Sequence, residues 1–185
     1  MDISFFEDYN KLIFDTIGSV DNALLGEAAE LIREVKQSGK KVIIVGNGGS
    51  AAMASHVAVD LTKAAGCRAI TFNETDLITC FANDYGYEKW VERSLAFYAD
   101  KGDIVILISS SGTSANIVNA ANWAKTSGIK LITVSGFSAE NPLRQLGDIN
   151  LWADSKGYNI VDMTHHIWLV AIVDFLVGKI EYSSN

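Results

Sequence analysis

Apolar residues recur at helical intervals through the first 37 residues, at Phe6, Ile13 and Ile17 and then at Leu24, Leu25, Ala28, Leu31, Ile32 and Val35. The pattern predicts two helices that meet near Gly18-Ser19. Beyond Gly39 the period changes. Short β-rich runs follow at 41–45, 68–72, 103–108, 130–134 and 149–152, with helical segments between them. Strands that alternate with helices pair in parallel, and unbroken apolar runs suit strands covered on both faces. The predicted fold class is therefore α/β. It is a three-layer αβα sandwich around a five-stranded parallel sheet, in one domain over 1–185, with N-terminal helices at 1–38 and the α/β core at 39–185.

Two predicted strands run into loops of small polar residues. Gly46-Asn47-Gly48-Gly49-Ser50 follows the first strand, and Ser109-Ser110-Ser111-Gly112-Thr113-Ser114 follows the third. Each loop sits where a strand hands over to a helix. There glycines permit a tight turn, while hydroxyls and the unpaired amides of the helix start suit an anion. One such loop is an ordinary turn or N-cap. Two with the same layout, at the carboxyl end of a parallel sheet, point to a bound phosphate. Neither loop matches the Walker A or GxGxxG pattern, and no acidic ribose-binding position follows the first, so no nucleotide cofactor is expected. The expected ligand is a phosphorylated small molecule.

Composition narrows the reading further. With 185 residues, 49% of them hydrophobic, the chain can bury a substantial core without staples. Its two cysteines, Cys67 and Cys80, have neither metal nor redox-motif spacing and are expected to be reduced thiols. A net charge of -7 opposes both a phosphate-tracking nucleic-acid surface and an anionic membrane. The start of the chain lacks the basic region of a signal peptide, and the apolar stretch 167–177 is too short for a membrane span. A cytoplasmic protein is expected, with no nucleic-acid or membrane partner.

The segments GNGGSAAMASHVAVDL at 46–61, ITCFANDYGYE at 78–88, ISSSGTSANIVNAANWAKTSG at 108–128 and ITVSGF at 132–137 resemble, in order and spacing, the sugar isomerase (SIS) domain family. Within that flavodoxin-like family they are most similar to the phosphoheptose isomerase group. The resemblance implies conversion of sedoheptulose 7-phosphate to a manno-heptose 7-phosphate in a homotetramer or dimer whose active sites draw on more than one subunit. It also implies that Ser109, Ser110, Ser111 and Ser114 bind the phosphate, supported by Asn47, Gly48 and Ser50, with Asp84 and Asp162 as further substrate contacts.

The metal and proton-transfer positions depart from the family pattern of a His and Glu four apart on one helix, then a Gln and His eight apart on the last. Here the first pair is His56 and Asp60, and the alignment sets Asp162 at the Gln position and Val170 at the second His. Valine neither ligates zinc nor carries a proton. His166 lies one turn earlier on the face shared by Asp162 and Val170, within reach of the same cavity. The expectation is a rebuilt site of His56, Asp60, Asp162 and His166, with zinc or without metal. Packing of His56 against an ion-paired Asp60, and subunit contacts for His165 and His166, remain the alternative. As an isomerase, the protein would use Asp60 as the base that forms an enediol, and His166 or His56 to protonate oxygen. A non-catalytic phosphosugar sensor or adaptor, and an isomerase of another phosphosugar, remain open.

Overall fold

The computed structural model describes residues 3–181; residues 1, 2 and 182–185 of the expected domain lie outside them. Helices α1 (Ser4–Ile17) and α2 (Asn22–Gln37) come first. The core follows as β1 (Val42–Val45), α3 (Gly49–Lys63), β2 (Ala69–Ile70), α4 (Thr75–Tyr85), α5 (Trp90–Tyr98), β3 (Ile104–Ser109), α6 (Ala115–Thr126), β4 (Lys130–Ser135), β5 (Ile149–Trp152) and α7 (Tyr158–Val177). The predicted break between the first two helices is real: Ser19 and Val20 leave helical geometry, and the Asp21 side chain accepts from Ala23 N at 2.9 Å to start α2. The 68–72 run shrinks to a two-residue strand. It sits at the sheet edge and pairs only with β1.

All five strands are parallel, in the order β2-β1-β3-β4-β5. β1 and the first five residues of β3 are apolar throughout because both of their faces are covered. Val42, Ile44, Ile104, Ile106 and Ile108 pack against one layer with α2, α3 and α7, whereas Ile43, Val45, Val105 and Leu107 face α5 and α6.

Helix α7 is longer than the apolar stretch that announced it. Its 20 residues are long and apolar enough, by length and composition alone, to cross a membrane. In this fold it is a packing helix. Val161, Trp168, Leu169, Ile172 and Val173 are buried in the first layer, and Trp168 Nε1 donates to the Ile17 carbonyl at 2.9 Å, fastening α7 to α1.

Adjacent strands β1 and β3 are also locked at their amino ends. Lys41 Nζ lies 2.6 Å from Asp103 Oδ2 and 2.8 Å from Asp100 Oδ2, and Asp103 Oδ1 accepts from Lys41 N at 3.0 Å. The Asp103 side chain is 1% exposed. A buried carboxylate that loses its partner keeps its desolvation cost, so Lys41→Met should destabilise the protein by about 3 kcal/mol in urea unfolding. Asp103→Asn with Lys41→Met should recover part of that loss.

Candidate functional site

The turn after β1 and the turn after β3 meet because those strands are neighbours, with β2 leading away on one side and β4 on the other. This is the crevice where parallel α/β sheets bind ligands. Asn47, Gly49, Ser50, Ser109, Ser110, Ser111 and Ser114 line a cavity of about 210 Å³ there, closed by Ile108, Tyr158 and Asp162. The amino-terminal turns of α3 and α6 both open on it, so backbone dipoles supply positive potential where no lysine or arginine lines the wall.

Hydrogen bonds hold the two loops to one another. Asn47 and Asn116 exchange amide bonds at 3.0 and 2.9 Å, the second helped by the Tyr87 hydroxyl, which donates to Asn47 Oδ1 at 3.2 Å. Ser109 Oγ donates to Ser114 Oγ at 3.1 Å, and Ser110 Oγ donates to Asp162 Oδ1. The serine loop is also clamped from behind. Gly136 N donates to the Ser110 carbonyl at 3.0 Å and Leu143 N to the Gly112 carbonyl at 3.1 Å. Buried Asn141 stabilises this clamp through bonds to Ser135 Oγ and the Gly136 carbonyl, both at 3.1 Å, and to the Ser138 carbonyl at 2.8 Å.

Gly112 is required here. Its φ is +67°, and a Cβ would lie 2.0 Å from Asn141 Oδ1. Phe137 is the one non-glycine residue with positive φ, at 58°, among the described residues, and its ring meets edge-on, at 4.8 Å, that of Tyr158, which lines the cavity.

A second cluster lies along the groove between α3 and α7. Asp60 Oδ2 is 3.1 Å from His56 Nε2, and His56 Nδ1 is 2.8 Å from His166 Nε2, with the rings edge-to-face. With Asp60 ionised, His56 Nε2–H donates to the carboxylate; His56 Nδ1 then accepts from His166 Nε2–H, leaving His166 Nδ1 as the free base. Burial, and then the neighbouring His56, hold the His166 pKa below the ordinary histidine value, while Asp60 pulls it up. His166 thus stays largely neutral and able to accept a proton.

Three of the four residues predicted to form one site, His56, Asp60 and His166, come together. Asp162 does not join them; one turn earlier on α7 it lies in the serine cavity. Among the described residues no group of three or more His, Cys, Asp or Glu side chains is arranged to hold a metal. Both His56 nitrogens are engaged, Asp162 is bonded to Ser110, and Val170 has no donor. This arrangement does not fit the zinc set that the resemblance implied.

Asp84 lies outside the cavity wall, near the end of α4, where it accepts from Asn83 Nδ2 at 2.8 Å. Gly48 caps α3 with φ +54° and does not line the cavity. Tyr87 and Tyr158 were missed because their partners, Asn47 and Phe137, are distant in sequence, and Asn141 because its bonds to 135–138 lie in an irregular turn with no motif to mark them. Asn116 was within reach of sequence reasoning, as the last residue of the second serine motif.

His165 points the opposite way from His166, into the core. It is fully buried, and its Nε2–H donates to the Ser135 carbonyl at 2.9 Å. Burial pushes its pKa down to about 4, against the opposing influence of that carbonyl and of Asp162.

The SIS domain model matches residues 5–136. The chain belongs to the SIS-domain family. SIS-domain relatives include the phosphoheptose isomerase of Aliarcobacter butzleri, 32% identical over 164 residues and covering 85% of this chain and 86% of its own. That of Buchnera aphidicola is 32% identical over 188 residues, covering 92% and 97%. The solved structure of phosphoheptose isomerase GmhA from Neisseria gonorrhoeae superposes with a TM-score of 0.85 at 24% identity, over 94% of this chain and 96% of that one. The two loops thus lie within the region matched as an SIS domain.

Two outcomes test this geometry. Gly112→Ala should cost about 2 kcal/mol or more in urea unfolding, because the new Cβ displaces Asn141 and the left-handed backbone disfavours alanine. Because His165 stays neutral in the folded state while an unfolded histidine titrates near 6.5, its contribution is complete above pH 6.5 and lost as pH falls toward 4. The loss should approach about 3 kcal/mol. A His165→Gln variant should show a flatter stability profile across that window.

Proposed function

We propose that the protein is a phosphosugar aldose-ketose isomerase of the phosphoheptose type, interconverting sedoheptulose 7-phosphate and a heptose 7-phosphate aldose. The observation that carries the proposal is a phosphate-type cavity joined along one helix to a histidine pair. Asp162 in the cavity and His166 in the pair are one turn apart on α7, a rise of about 6 Å. The serine loops would hold the phosphate as a handle and orient the distal carbons toward the histidines.

In this reading His166 Nδ1 takes the proton from the carbon beside the ketose carbonyl, giving an enediol. Return of that proton to the neighbouring carbon, with transfer of a proton between the two oxygens, completes the aldose. His56 relays and Asp60 orients. Asp60 had the base's role on spacing alone; its bond to His56 makes it better suited to fixing the tautomer and stabilising the charged imidazole.

The same proposal makes the protein a homo-oligomer acting in the cytoplasm. Support for association comes from Phe5, Phe6 and Phe14 of α1, which are 61, 61 and 71% exposed. A neighbouring subunit could then bring further groups to the mouth of the cavity, where Asp84 would have to contribute.

An NMR time course with sedoheptulose 7-phosphate, run with zinc and with chelator, tests the activity. Wild type should form the aldose heptose phosphate, and His166→Asn should lower kcat by about 100-fold or more while still binding the sugar. Binding without conversion by wild type would instead make the protein a phosphosugar sensor, the reading that Val170 favours. Failure in chelator alone would restore a metal to the mechanism.

A further inference from the structure

The phosphate cavity contains a negative charge of its own. Among the described residues Asp162 is the only charged one in its lining. Its Oδ1 accepts from Ser110, and its Oδ2 stands over the first residue of α3, 3.0 Å from where a Cβ on Gly49 would be. The carboxylate therefore already lies against the amino-terminal turn of one of the two helices that face the cavity, and accepts the hydrogen bond of one of its serines. No lysine or arginine in the wall offsets it.

We propose that Asp162 is a specificity-determining residue, a charge filter that keeps free inorganic phosphate out of the cavity and admits phosphate only as the ester of a polyhydroxylated carbon chain. The inference rests on the phosphosugar reading and deepens it. A free phosphate dianion entering the cavity meets the α6 turn and the remaining hydroxyls, but also the full repulsion of the carboxylate at short range in a half-enclosed site. A sugar phosphate meets the same repulsion. It also carries hydroxyl donors next to the phosphate, and a carboxylate with acceptor capacity to spare is a strong partner for them. Discrimination then comes from an element that disfavours the wrong ligand as much as from one that holds the right one. Glycine at 49 belongs to the same device, since a side chain there would displace the carboxylate.

The test is calorimetric titration of the wild type, Asp162→Asn and Asp162→Ala with inorganic phosphate and, separately, with sedoheptulose 7-phosphate. Both variants should bind inorganic phosphate about tenfold or more tightly than wild type does, while sugar-phosphate affinity rises less or falls, so that the preference for the ester shrinks. Tighter binding is a gain that a damaged fold would not give. Inorganic phosphate binding that is unchanged or weaker in both variants, with wild type still binding the sugar phosphate, overturns the filter alone. Failure of wild type to bind the sugar phosphate at all overturns the phosphosugar reading with it.

Discussion

The parallel pairing of β1 with β3 is the constraint from which the site follows. Four residues of β1, Val42 to Val45, lie in register with Ile104 to Leu107 of β3, so the two chains leave the sheet side by side at the same edge. Because β2 adds to the outer side of β1 and β4 to the outer side of β3, the connections diverge to opposite faces and leave a crevice between them. Neither loop could form half a cavity without this adjacency. The Lys41–Asp103 pair holds the same two strands at their other end, far from any ligand.

In the phosphosugar reading the cavity holds its phosphate with dipoles and hydroxyls alone, against the carboxylate of Asp162. Fixed dipoles are weaker than a lysine, but they do not move, and the loop that carries them is bound on its inner side by Gly136, Leu143 and Asn141. Rigidity of that kind matters more for a handle than for a reacting group. The histidine pair, by contrast, bridges α3 and α7 with His56 half exposed, where proton exchange with water costs little.

How much of this the chain announced depends on how local each signal is. The five strands and both loops could be read directly, since apolar runs and Gly/Ser turns are properties of neighbouring residues. The pairing of His56 with Asp60 was also legible, as an interval of four. What it would do was not: the meeting of His56 with His166 spans 110 residues and depends on how α3 packs on α7. The separation of Asp162 from that group was hidden for the same reason. Periodicity puts Asp162 and His166 on one face, but only the packing decides that one reaches the serine loop and the other the neighbouring helix. Tyr87 acts through a bond to a loop 40 residues away, and Asn141, though bonded to near neighbours, sits in an irregular turn that carries no local pattern.

Helix α7 presents its residues in three directions: Asp162 to the cavity, His165 to the strand beneath, His166 to the groove. Each residue step turns the helix by about 100°. Adding or removing a single residue between Gly157 and Asp162 would therefore rotate every later side chain together, sending an imidazole where the strand needs a neutral donor and a buried face toward water. Such a helix behaves like a camshaft, with its lobes cut at fixed angles. A substitution can exchange one lobe for another, but it cannot re-time the shaft.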